Sequence, residues 1–61
     1  MKLIIMTGIS DSTIAINPNA IIGVRECKQE DSEYRTSIDT DNFTYKVQED
    51  FATVCAAIQN A

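Results

Sequence analysis

The chain has 61 residues, 44% of them hydrophobic, with nine acids, five bases, two cysteines and no histidine or tryptophan, for a formal net charge of −4. A chain this short is a single domain, residues 1–61, and folding buries only about 60% of the surface that such a chain exposes when unfolded, so a partner subunit is expected to supplement its core. Its apolar run Leu3–Met6 falls far short of the roughly 20 residues of a membrane span, and no leader pattern precedes a cleavage site, so the protein is expected to be soluble and cytoplasmic, with no membrane partner.

Lys2–Thr7 is a short, Ile-rich apolar run closed by Gly8, and it predicts a first strand. After the turn residues Gly8–Ser12, Thr13–Asn17 alternates and predicts a second, with Ile14 and Ile16 on one side. Asn17-Pro18-Asn19 must break the ladder, because Pro18 has no N–H and pushes Asn17 to an extended or turn conformation. A third strand is predicted at Ile21–Lys28, then a polar loop at Gln29–Glu33, a fourth strand at Tyr34–Asp39, a turn at Thr40–Asn42 and a fifth strand at Phe43–Val47. The last of these alternates strictly, with Phe43, Tyr45 and Val47 inward. Asp50 caps a closing helix whose apolar residues Phe51, Val54, Cys55 and Ile58 fall at i, i+3, i+4 and i+7, so that one stripe packs on the sheet. The predicted class is α+β: a four- to five-stranded antiparallel β-meander packed on one C-terminal α-helix.

The run Ile14-Ala15-Ile16-Asn17-Pro18-Asn19-Ala20-Ile21, followed after a polar loop by Phe43-Thr44-Tyr45-Lys46-Val47-Gln48-Glu49-Asp50-Phe51 and a short helix, resembles the FlbD-like family of small flagellar and swarming motility proteins, and other small bacterial and phage proteins. The likeness spans most of the chain and implies the same order of strands and helix. It departs from the family at Asp39–Asn42, where a short Asn-Gly hairpin is usual and no Gly stands.

A meander places alternate connections at opposite ends of the sheet. Seven of the nine acids, Asp11, Glu26, Glu30, Asp31, Glu33, Glu49 and Asp50, then gather at one end, either as a solvated loop and helix start or as a site for a cation or a basic partner. Alternation sorts the faces. Leu3, Ile5, Ile14, Ile16, Ile22, Val24, Tyr34, Ile38, Phe43, Tyr45 and Val47 are assigned inward. Lys2, Arg25, Arg35 and Lys46 share the outward face with an apolar patch of Ile4, Met6 and Ile21, the candidate oligomer interface. That face is an ordinary solvated surface, a subunit interface or a platform for single-stranded nucleic acid, the last weakened by the absence of an outward aromatic residue.

No His stands ready to act as a base near neutral pH, and Gly8 and Gly23 stand alone rather than in a phosphate loop. No calcium-loop spacing is present, so no catalytic residue, cofactor or metal is expected. Cys27 and Cys55 are expected to be reduced thiols, Cys55 as part of the helix stripe. The expected function is a non-enzymatic interaction or regulatory module, bacterial or phage-encoded, that forms a homo-oligomer, a dimer foremost, and binds a protein partner. An acidic mimic of nucleic acid that inhibits a host protein and a single-stranded nucleic-acid binder stand as alternatives.

Overall fold

Short β-branched runs separated by turn residues form strands here, and the Ala-rich segment behind an Asp cap forms the helix. The computed structural model describes residues 2–28 and 33–61. Along the chain lie β1 (Ile4–Thr7), β2 (Thr13–Ile16), β3 (Ile21–Glu26), β4 (Thr36–Thr40), β5 (Thr44–Val47) and α1 (Phe51–Gln59), so the class is α+β with five antiparallel strands and one C-terminal helix. The strands divide into two sheets, a β1–β2 hairpin and a β3–β4–β5 meander. Pro18 is the reason for the division. It opens a short 3₁₀ turn, Pro18–Ala20, and the Asn17 side chain accepts the Asn19 N–H at 3.0 Å, so the chain leaves β2 before it can pair onward with β3.

In the hairpin, Ile4 faces Ile16, Ile5 faces Ala15, Met6 faces Ile14 and Thr7 faces Thr13. Directly opposed residues share a face, so Ile4 and Met6 join Ile14 and Ile16 on the inner side. This reverses the face expected for β1. Ile4 and Met6 are core residues, 5% and 4% exposed, and do not form an outward patch, while Leu3 (47%) and Ile5 (59%) face outward.

The third strand carries a second correction. Ile21 faces Thr40 but Gly23 faces Asp39, which leaves Ile22 as an extra residue in a β-bulge. Before the bulge Ile21 packs on the core; after it Val24 does so, and Ile22 is turned out at 72% exposure. Ile21 therefore leaves the expected outward patch as well. Ser37, Thr44 and Lys46 lie outward as expected, while Ile38 and Val47 are fully buried. Phe43, at the end of its strand, is 60% exposed rather than inward.

Asp50 caps α1 by accepting the Thr53 N–H at 2.9 Å. The buried stripe of the helix is centred on Val54, with Ala57 and Ile58 packed beside it against Ile4, Met6, Ile16, Ile38 and Val47. Phe51, the first residue of the helix, stands at the rim of this contact and is 38% exposed, so it is not the buried anchor that periodicity suggested. Among the described residues no helix is long and apolar enough to cross a membrane.

Urea unfolding at equilibrium is expected to show that Ile38→Ala costs about 2–5 kcal/mol, the range for truncating a fully buried aliphatic residue. That is comparable with the whole stability of so small a domain. Ile5→Ser, on the outer face, is expected to change stability by less than about 0.5 kcal/mol.

Candidate functional site

The acidic end assembles around the turn between β1 and β2. Two residues of that turn, Ser10 and Asp11, hold φ of 61°, a left-handed conformation that costs non-glycine residues free energy. Gly8 opens the turn because nothing larger fits: a Cβ there would lie 2.5 Å from Ile14 Cδ1 and 2.8 Å from Ser12 Oγ. The segment after β5 holds the turn in place. Gln48 N–H donates to the Thr7 carbonyl at 2.8 Å, and Gln48 Nε2 donates to the Gly8 carbonyl at 2.8 Å and to Asp11 Oδ1 at 3.1 Å. Glu49 accepts the Thr7 N–H on both carboxylate oxygens, at 2.9 and 3.0 Å, while its own carbonyl accepts the hydroxyl of the fully buried Thr36 at 2.7 Å.

Of the acids assigned to this end, Asp11, Glu33 and Glu49 are brought together. The Ser10 N–H donates to Glu33 Oε2 at 3.4 Å. Asp50 lies next along the chain as the helix cap, and Glu26 is exposed in the cross-strand row of Thr36 and Val47. Glu30 and Asp31 lie outside the described residues. Asp11, Glu49 and Asp50 thus each satisfy a backbone or amide donor. Among the described residues no group of three or more His, Cys, Asp or Glu side chains is arranged to hold a metal ion. Gln48 and Thr36, which complete this junction, were not singled out in the sequence, because their role depends on the hairpin lying against them.

The basic residues divide. Arg25, Ser37 and Lys46 form one cross-strand row on the outer face of the meander. Arg25 meets Asp39 through two contacts, Nε to Oδ2 at 3.1 Å and Nη2 to Oδ1 at 3.2 Å, and Thr44 donates to the same carboxylate at 3.0 Å. Arg25 and then Thr44 hold the Asp39 carboxyl below its ordinary value. Lys46 Nζ lies 4.7 Å from the centre of the Tyr34 ring and 3.1 Å from its hydroxyl. Tyr34, expected inward, therefore meets Lys46 on the outer face; it precedes β4, where strand alternation does not yet apply. Arg35 is exposed, and Lys2 stands apart from the row, beside Pro18, Asn19, Ile58 and Ala61. Cys27 and Cys55 are free thiols, each half-buried.

Between the turn and the meander runs a groove of about 310 Å³, with Ile9, Ser12 and Ile14 on one side and Phe43–Lys46 on the other. The Phe43 and Tyr45 rings meet there at 4.8 Å with a tilt of 58°.

The pKa of Asp50 is also depressed, first by the Thr53 side chain and then by its N–H. A carboxyl whose pKa is lower folded than unfolded contributes stability above its ordinary value of 3.8, and that contribution is lost as pH falls toward the folded value. Thermal melts taken downward from about pH 5 are therefore expected to show a falling midpoint. In Asp39→Asn with Asp50→Asn that fall is expected to be shallower.

Compared with protein-family models, curated proteins and solved structures, the chain matches none of them.

Proposed function

We propose that this chain is a non-enzymatic interaction module that self-associates and works by binding a protein partner. The observation that carries the reading is the outer face of the hairpin, where Leu3 and Ile5 stand exposed beside Ala15. Association through such a face would bury apolar surface that so small a domain cannot cover alone. The interface first sought at Ile4, Met6 and Ile21 moves to the opposite face of β1. The free thiols accord with a reducing, cytoplasmic setting in a bacterium or phage, and kinship with the FlbD-like proteins belongs to the same proposal.

The absence of histidine supports a role without catalysis, as does the engagement of Asp11, Glu49 and Asp50 by N–H donors. The charge-based alternatives have less support. Arg25 is paired with Asp39 and Lys46 rests on Tyr34, which leaves a weaker track for phosphates, and Glu49 and Asp50 are drawn into the hairpin junction and the helix cap.

Light scattering across a dilution series tests the proposal. The wild-type chain of 6.8 kDa is expected to scatter as a dimer or larger assembly that dissociates on dilution. Leu3→Ser with Ile5→Ser is expected to scatter as a monomer with an unchanged far-ultraviolet spectrum. A wild-type monomer at every concentration would remove the self-association.

A further inference from the structure

We propose that the groove between the β1–β2 turn and β5 takes an extended, basic-ended peptide segment of a partner protein, added as a strand to the edge of β5. The inference rests on the reading of the chain as a protein-binding module and names the chemistry of its partner.

The edge is the first argument. β5 has β4 as its sheet neighbour on one side. The Phe43 carbonyl accepts from Thr40 N–H at 2.8 Å and the Val47 carbonyl from Arg35 N–H at 2.9 Å, so the odd-numbered positions turn their backbone toward β4. Alternation turns the N–H and C=O groups of Thr44 and Lys46 the other way. The next even position, Gln48, is already used in that direction, since its N–H reaches the Thr7 carbonyl at 2.8 Å. Among the described residues the hairpin thus pairs with the edge at Gln48, and no backbone bond to Lys46 or Thr44 is made on that side, where the groove begins. Main-chain groups on a strand edge recognise another extended backbone.

The walls select the occupant. Ile14, Phe43 and Tyr45 offer apolar contact, and Phe43 is largely uncovered at 60% exposure. Ile9, Ser12 and Ile14 stand across from β5 as a wall beside the edge. A second copy would have to bring the rest of its own sheet against that wall, which favours a single extended segment. Charge supplies its polarity. Asp11 and Glu33 both lie at the turn beside the groove, on a chain of net charge −4, and favour a Lys or Arg at the adjoining end of the segment. The preferred ligand is therefore a segment with alternating apolar residues and one terminal base.

The test is an amide NMR titration of the full chain with an acetylated hexapeptide that alternates Val and Thr behind an Arg. The expected result is saturable movement of the Thr44 and Lys46 amide signals, with weaker binding when the Arg is replaced by Glu or when alternate peptide nitrogens are methylated. Thr44→Pro removes an N–H that faces away from β4, a substitution strand edges tolerate. It is expected to weaken binding about tenfold or more, the loss of a backbone hydrogen bond and of close approach. Phe43→Ser, at an exposed position, is the second variant and is expected to weaken binding while the melt stays unchanged. Leu3→Ser with Ile5→Ser is expected to bind the peptide as wild type does, which separates this site from the self-association face. The proposal is overturned if Thr44→Pro and Phe43→Ser bind like wild type, if the methylated peptide binds equally, or if the moved signals map to Leu3 and Ile5. It is also overturned if Thr44→Pro dissociates a wild-type dimer, since the occupant would then be a second copy.

Discussion

Glu49 is the residue on which the two sheets and the helix depend together. Its carboxylate takes the Thr7 N–H at the end of β1, its carbonyl takes the buried Thr36 hydroxyl from β4, and the next residue caps α1. Within two residues of chain, the hairpin, the meander and the helix are brought to one point. A sheet of two strands is marginal alone, so the hairpin depends on this junction and on the shared core for its place. A carboxylate that accepts a backbone donor in a half-buried setting does more than decorate a surface, because truncating it leaves the donor without a partner. The clustering of acids at one end of the molecule thus has a structural origin for several of its members.

The same junction accounts for a turn that is unfavourable in isolation. Ser10 and Asp11 in succession adopt the left-handed conformation, each at a cost on the order of 1–3 kcal/mol. The two donations from Gln48 Nε2, the Glu49 carboxylate on Thr7 and the contact from Ser10 N–H to Glu33 bear on this short segment. Asp is one of the residues that tolerates this region best, and Gly8 provides the close approach that lets the turn fold back over Ile14. What holds the turn also sets one wall of the groove, so the shape of that groove is inherited from the hairpin's attachment to Gln48 and Glu49.

Local features were legible from residues alone: the Asp50 cap, the break at Pro18, the helix and the alternation of β4 and β5. The face of β1 was assigned the wrong way round, although a step that alternation does not supply would have set it right. Leu3–Met6 is apolar on both sides, but counting outward from the turn Gly8–Ser12 pairs Thr7 with Thr13, and hence Met6 with Ile14 and Ile4 with Ile16. The bulge at Ile22 left no such trace, because Ile21, Ile22 and Val24 are equally apolar and either phase satisfies the pattern. Burial of Phe51 was overread, since periodicity gives a direction but says nothing of how far the first helical turn extends past the sheet. The groove, the Gln48 clamp and the position of Tyr34 beneath Lys46 arise from how separate hairpins meet, and no spacing along the chain encodes them.

The bulge bears on how freely the chain can change length. Ile21 belongs to the inner set and Gly23 to the outer, with Ile22 counted against no residue of β4. Removing Ile22 would join an inward residue directly to an outward one and restore uninterrupted alternation through Val24 and Arg25. The sheet therefore carries one residue more than its ladder requires. Most single-residue deletions inside a strand throw every later side chain onto the wrong face; here the strand holds a surplus residue, whose removal leaves every later side chain on the face it already has.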